Sequence, residues 1–378
     1  MKEIHIKEGP FIKSANKVKN MMKNLLISLI PILLFSFYKN GYLPFKHGKT
    51  DIIGLIYPLI FILVSVFTSC LTEYFYKVLI KKEKKSFKSN LLFSVFPGLF
   101  LALTLPINTP IWLLIIGAFI ASIFGKMIWG GLGNNKLNPA LVGNLFVILV
   151  LLLMGNVNYL NSYESTIIAD ANSLVNPATL NMIGTYETLV APYGSLWNFL
   201  IGTVPGALGT TSVLLCIIAY FYLTYKKALK WRIPLVYIGT VFIITYFIGF
   251  LNGVGLWYPT FQILSGGLMF MAIFMATDPV TSPTTPTAQV VYGMSLGILT
   301  VLFRYIIPVS NGIVISILIM NGLTILLDKI GAQACFDFKK ISILILVEMV
   351  LALAVSIYIA EVKSNSSVSN QESNLLQE

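Results

Sequence analysis

The 378-residue chain is 56% hydrophobic and 11% charged, with a formal net charge of +11. That balance excludes a soluble domain and defines a polytopic all-α membrane protein. On a soluble protein such a charge would point to nucleic acid, but most lysines here fall in short segments between apolar runs, where they set topology, so the bilayer and not nucleic acid is the expected partner.

Residues 1–24 are polar and Lys-rich, without an apolar core or a small-residue cleavage site, and read as a cytoplasmic segment rather than a signal peptide. About eleven apolar runs then read as membrane helices. They span 25–38, 52–72, 91–104, 110–125, 138–155, 210–225, 233–251, 260–277, 288–304, 312–328 and 342–360, the first extending back toward Val18. If the helices alternate from a start inside, the cytoplasmic segments are 1–24, 73–90, 126–137, 226–232, 278–287 and 329–341. Every Lys and Arg lies in these except Lys39, Lys46, Lys49, Arg304 and Lys363. The asymmetry orients the N-terminus toward the cytoplasm.

The longest outer segment, from about Gly155 to Asn198, contains no Lys or Arg. A loop of that length in a compact membrane protein is usually functional or disordered. Residues 361–378 are polar and read as a disordered tail. The chain therefore divides into a cytoplasmic segment (1–24), a first membrane repeat (25–155), an extracytoplasmic loop with a re-entrant region (156–209), a second repeat (210–328), a loop with an extra C-terminal helix (329–360) and the tail (361–378).

Pro97-Gly98-Leu99 and the following apolar run to Pro106 echo Gly266-Gly267-Leu268 and its run to Pro279. Five helices precede the long loop and at least five follow it. An odd number per half turns the second half over, the inverted-repeat plan whose sites lie at broken helices.

The densest polar motif is MATDPVTSPT (275–284), which puts Asp278, two prolines and the hydroxyls of Thr277, Thr281, Ser282 and Thr284 at a helix end. Proline removes backbone donors. Broken backbone at membrane depth survives only where protein or a polar ligand satisfies it. In GGLGNNKLNPALVG (130–143), Asn138 reads as a helix cap with Pro139 at the first helical position. VPGALGTTS (204–212) reads as a re-entrant turn.

Glu348 lies within the last apolar run, where an ionisable group is functional by default or faces another subunit. Arg304, at a helix end, reads as snorkelling. Three cysteines (Cys70, Cys216, Cys335) without CxxC spacing, and only His5 and His47, argue against metal-cluster or haem ligation and leave hydrolytic triads without their parts.

Taken together, the motifs at 130–143, WRIPLVYIGT (231–240), SGGLMFMAIFMATDPVTSPTTP (265–286) and LIMNGLTILLD (318–328) resemble the RnfD/NqrB family, on the RnfD side, over roughly 10–340. These are membrane subunits of ion-pumping, flavin-containing complexes in bacterial or archaeal cytoplasmic membranes. The resemblance implies an inverted repeat of five helices and a subunit that is not catalytic alone. It implies electron transfer between ferredoxin and NAD coupled to Na⁺ or H⁺ movement. The implied partners are the other membrane and peripheral subunits and a flavin transferase. It also implies FMN as a phosphoester on an outer-loop threonine, here Thr179 in VNPATL (175–180), with room in the reading for a second, non-covalent flavin. Asn138, Gly266, Gly267, Asp278, Thr281 and Ser282 would shape cofactor cavities at the broken helices. The chain departs from the family pattern at Ser173, Asn176 and Pro177 beside the anchor, at Thr210 and at Asn311. A small-solute channel, or a flavin-free paralogue of the same architecture, stays open at this stage.

Overall fold

The structure, a computed structural model, describes residues 18–80, 82, 84–131, 133–154, 183–306, 312–334 and 338–375. All regular structure among the described residues is helical. Six helices are long and apolar enough to cross a membrane: Lys19–Lys46, Ile52–Leu79, Arg232–Leu251, Pro286–Ile306, Gly312–Ala332 and Ile345–Val362. A seventh span is broken, with Trp257–Leu264 and Leu268–Met275 bent by 62°. Four shorter apolar helices complete the set: Leu92–Thr104, Ile111–Met127, Pro139–Leu153 and Val213–Tyr225. These match the expected apolar runs in order. Large apolar side chains such as Leu63, Phe67 and Ile325 stay exposed on the outer faces, which suits lipid as solvent.

The first half comprises α1 (Val18–Phe37), α2 (Ile52–Phe75), α3 (Lys84–Thr104), α4 (Ile111–Ser122) and α5 (Pro139–Leu153). The second comprises α6 (Val213–Tyr225), α7 (Arg232–Leu251), α8 (Trp257–Leu264), α9 (Leu268–Phe270, continued by a π-turn over Met271–Met275), α10 (Pro286–Ile306) and α11 (Gly312–Ala334). A last helix, α12 (Phe338–Leu375), packs on α7 and α10.

Small residues set the closest crossings, as they do where apolar solvent gives helices no other reason to associate. A Cβ on Gly143 of α5 would lie 2.6 Å from the Gly117 carbonyl oxygen of α4. One on Gly98 of α3 would lie 2.4 Å from the Ser65 carbonyl oxygen of α2.

Three further π-turns, Tyr38–Tyr42, Tyr76–Ile80 and Ile123–Met127, end or extend α1, α2 and α4. A π-turn widens the helix by one residue and re-aims its side chains, often at functional positions. Each of the three carries a buried lysine: Lys39, Lys77 and Lys126. This corrects two expectations. Lys39 does not sit in an outer loop but within helical structure, and Lys126 is not a loop charge. A third correction concerns the tail, which is helical through Leu375 rather than disordered. Residues 361–378 contain no Gly or Pro to stop the helix that enters them.

Candidate functional site

The two halves meet where α5 begins and the π-turn Met271–Met275 ends. The Asn138 side-chain oxygen accepts from the Ala140 amide at 3.1 Å, capping α5 as the Asn-Pro pair predicts. Its amide nitrogen reaches across to the Met275 carbonyl oxygen at 3.4 Å. One side chain thus caps the start of a helix of the first half and ties it to the broken span of the second.

The Asp278 loop follows immediately. Thr281 Oγ1 donates to the Asp278 carboxylate at 3.0 Å. Ser282 Oγ donates to the Asp278 carbonyl at 2.6 Å. Lys230 clamps the loop from outside, donating to the Ser282 carbonyl at 2.9 Å and to Ser282 Oγ at 2.8 Å. Thr324 of α11 donates to the Thr281 carbonyl at 2.8 Å. Asp328, also of α11, accepts the Thr284 and Thr285 amides at 2.8 and 3.1 Å, just before α10 starts at Pro286. The backbone donors that the helix break releases are therefore largely met by protein. Burial raises the pKa of Asp278, opposed by the Thr281 hydroxyl bond and the Lys230 charge. Burial lowers that of Lys230, opposed by Asp278 and Asp328.

Behind this loop lies a cavity of about 60 Å³. Its polar walls come from Lys126, Asn135, Asn138 and Asp278, and aromatic walls from Phe93, Phe96, Phe100 and Phe274. A polar cavity of that size holds a water or two.

Lys126 links the cavity to a buried ion cluster. Glu73 on α2 accepts from Lys77 at 2.6 Å and from Lys126 at 2.7 Å. Glu73 is 1% exposed and Lys126 2%. Lys126 also donates to the Phe93 carbonyl at 3.0 Å. Ser69, one turn before Glu73, bonds Ser122 at 2.8 Å and the Ser94 carbonyl at 3.0 Å. A carboxylate between two ammonium groups survives inside a membrane protein only when its oxygens are this fully used.

The opposite end of the broken span is organised by Arg304. Gly266 and Gly267 both have positive φ, 69° and 71°, a conformation that glycine adopts freely. They turn the chain between α8 and α9. The last carbonyls of α8 lack helical partners and carry the negative end of its dipole. Arg304 meets them, donating to the Gln262 carbonyl at 2.7 Å, to Gln262 Oε1 at 3.1 Å and to the Ser265 carbonyl at 3.3 Å. At 1% exposure it does not snorkel, as its helix-end position had led one to expect; it serves the break. Its Nε has no hydrogen-bond partner among the described residues.

Lys39, on the same side of the molecule as the 202–212 turn, donates to the Val204 carbonyl. That turn packs on the end of α3: the Leu208 and Gly209 amides donate to the Leu105 and Leu103 carbonyls at 3.1 and 2.8 Å.

Of the residues singled out in the sequence, Asn138, Asp278, Thr281 and Ser282 come together at one end. Gly266 and Gly267 lie at the far end of the half-helix Leu268–Met275 and belong with Arg304 and Thr210. Thr179 lies outside the described residues. Sequence reasoning missed Glu73, Lys77 and Lys126, although Glu73 and Lys77 stand four apart at the end of an apolar run, a spacing that pairs charges on a helix. It also missed Lys230. Cys70 and Cys216 are free thiols, and no group of three metal-ligating side chains occurs among the described residues.

These features define a class: a multi-pass helical membrane protein with one span broken at paired glycines and a polar junction between its halves. Residues 5–337 match the model of the NQR2, RnfD, RnfE family, and the chain belongs to that family. It is 31% identical over 339 residues to a subunit of the proton-translocating ferredoxin:NAD(+) oxidoreductase complex of Clostridium ljungdahlii, covering 89% of this chain and 96% of that one. It is 30% identical over 336 residues to the corresponding subunit of the Na(+)-translocating ferredoxin:NAD(+) oxidoreductase complex of Acetobacterium woodii, with the same coverage of 89% and 96%. It is 31% identical over 242 residues to a subunit of the Na(+)-translocating NADH-quinone reductase of Chromohalobacter salexigens, covering 62% of this chain and 56% of that one.

Proposed function

We propose that this chain is the flavin-carrying membrane subunit of an Rnf-type complex, in which electron transfer between ferredoxin and NAD drives Na⁺ or H⁺ across the membrane. The observation that carries this is the match along nearly the full length of relatives bearing the names of ion-translocating ferredoxin:NAD(+) oxidoreductase subunits. Two relatives of equal similarity are named for different ions, so overall likeness does not choose between them. The other subunits of the complex and a flavin transferase are the partners of this reading.

The proposed cofactor is FMN, phosphoester-linked to Thr179, which follows Ala178 as the family pattern requires. Bound flavin would supply one- and two-electron transfer, and the chain's residues would hold and orient it. A second, non-covalent flavin does not fit the cavity at Asn138 and Asp278: 60 Å³ is far below the roughly 300 Å³ at which organic ligand sites begin.

In this reading the N-terminus is cytoplasmic, in a bacterial or archaeal cytoplasmic membrane, and the Lys-free 156–197 loop faces outward. A single cysteine at Ser165, in a background lacking native thiols, then reacts with an impermeant maleimide in intact cells. Labelling only after the membrane is opened reverses the orientation. The flavin is tested by mass spectrometry of the Thr179 peptide from protein made with its own flavin transferase. The expected mass is that of the peptide plus FMN less water. An unmodified Thr179 from the native host removes the covalent flavin from the proposal.

A further inference from the structure

Helix α12 lies beyond residues 5–337, the part that matches the family. Glu348 sits within its membrane-crossing stretch, Ile345–Val362. The side chain does not face outward: the residue is 9% exposed, in line with Ala352, Ser356 and Ile359 on the face that packs against α7 and α10. Ser295 Oγ of α10 donates to Glu348 Oε1 at 2.6 Å. Oε2 has no hydrogen-bond partner among the described residues.

The charged and titratable groups on the helices packed against α12 are otherwise engaged or turned away. On α7, Arg232 lies over the Trp231 ring, Tyr237 bonds Thr300, and Tyr246 stacks on Phe250. On α10, Tyr292 bonds Asn321, Arg304 bonds Gln262 and Ser265, and Tyr305 bonds Tyr258. On α11, Asp328 bonds Thr284 and Thr285, and Lys329 is exposed. None of them forms an ion pair with Glu348.

An ionised carboxylate with one neutral donor, no cation partner among the described residues and a side chain buried against neighbouring helices is strongly disfavoured inside a bilayer. The neutral acid removes that penalty at the expense of binding one proton. Contrast Glu73, whose two oxygens each meet an ammonium group. The same residue type is thus placed in two opposite environments within one membrane domain.

We propose that Glu348 is a proton-binding site within the membrane, a neutral carboxylic acid whose free oxygen exchanges a proton and which adds hydrophobic carbodiimides. In that addition the acid proton moves to one carbodiimide nitrogen and the carboxylate oxygen bonds to the central carbon. The resulting O-acylisourea rearranges by acyl migration to the other nitrogen, giving a stable N-acylurea with no leaving group. An ionised carboxylate has no proton to give in the first step. The inference does not rest on the flavin reading, because its argument uses no residue of that reading.

The test uses the full chain in native membranes, treated with dicyclohexylcarbodiimide and digested for mass spectrometry. The expected result is the carbodiimide adduct on Glu348, declining as pH is raised, with the label at this position lost in Glu348→Gln. Infrared difference spectra of wild type against Glu348→Gln give a second readout that needs no reagent access. A protonated-carboxyl stretching band present in the wild type and lost in the variant supports the proposal. Absence of that band, or a wild-type Glu348 that stays unlabelled while another membrane carboxyl in the same sample is labelled, overturns it. The amide of Gln still accepts from Ser295, so the variant is expected to fold.

Discussion

Glu73 and Lys126, 53 positions apart in sequence, hold each other at 2.7 Å while both are almost wholly buried. The pair ties the end of α2 to the π-turn that follows α4, and it places a charged wall beside the cavity at the junction of the halves. Buried pairs of this kind add little net stability over apolar replacements, but removing one partner strands the other.

Glu73→Gln is accordingly expected to destabilise the protein by about 3–5 kcal/mol, since it leaves Lys126 and Lys77 without their counter-charge. Thermal melting of the detergent-purified protein measures this. The double variant Glu73→Gln, Lys126→Met should recover more than half of the loss. A single variant that melts with the wild type would show that the lysines find other partners or give up their protons.

Gly267→Ala forces a side chain onto a backbone with φ of 71° and sets a Cβ 3.0 Å from that of Thr210. The left-handed conformation alone costs about 1–2 kcal/mol for a residue with a Cβ. Adding Thr210→Ala should restore little, because the Thr210 Cβ itself remains and the strain is mainly in the backbone. Full recovery of the melting temperature in the double variant would assign the cost to side-chain crowding instead.

Lys230→Met removes the clamp on the Asp278 loop. Hydrogen bonds from a charged donor contribute about 1.5–3 kcal/mol. Amide hydrogen exchange across residues 276–288 should therefore rise about tenfold or more, with helices α1 and α2 unchanged. Exchange that stays at the wild-type rate would mean that Thr324 and Asp328 suffice to hold the loop.

Asp278→Asn gives a pH-dependent prediction. Burial places the folded-state pKa of Asp278 above its unfolded value. A group with a raised pKa takes up a proton on folding, so its favourable contribution is complete at low pH and is lost as pH rises through the folded value. The Asn variant keeps an acceptor for Thr281 and does not titrate. Its melting temperature relative to wild type should thus increase as pH is raised from the ordinary carboxylate value of about 4 through the higher folded-state value. A constant difference across that range would place the carboxyl at its ordinary value.

Much of the site was legible in the sequence because a membrane chain leaves few places for polar groups. Asp278, Thr281 and Ser282 stood out as hydroxyls and a carboxylate crowded among prolines between two apolar runs. Asn138 could be assigned as a cap from Asn-Pro alone. The paired glycines at 266 and 267 lie inside the apolar run 260–277, which reads as one unbroken span; the 62° break there, with both glycines in the left-handed conformation, belongs to the structure alone. Arg304 was misread because its position at a helix end is the one from which a long side chain usually reaches water; what turns it inward is the row of open carbonyls at the end of α8, which no local pattern announces. Lys126 was misread for a related reason: beside loop residues its charge looked like a topology signal, and its partner lies on another helix.

The sequence by itself determined the class and the order of the apolar helices. Each of these depends on quantities read along the chain: the length of apolar runs, the prolines and glycines that interrupt them, and the lysines between them. Only the tertiary structure decided which charges are buried and with whom. Whether Glu73 is paired, Glu348 is left with a free oxygen or Arg304 serves a helix end depends on what residues far away in sequence bring to the same few ångströms, where the absence of water makes each missing partner costly.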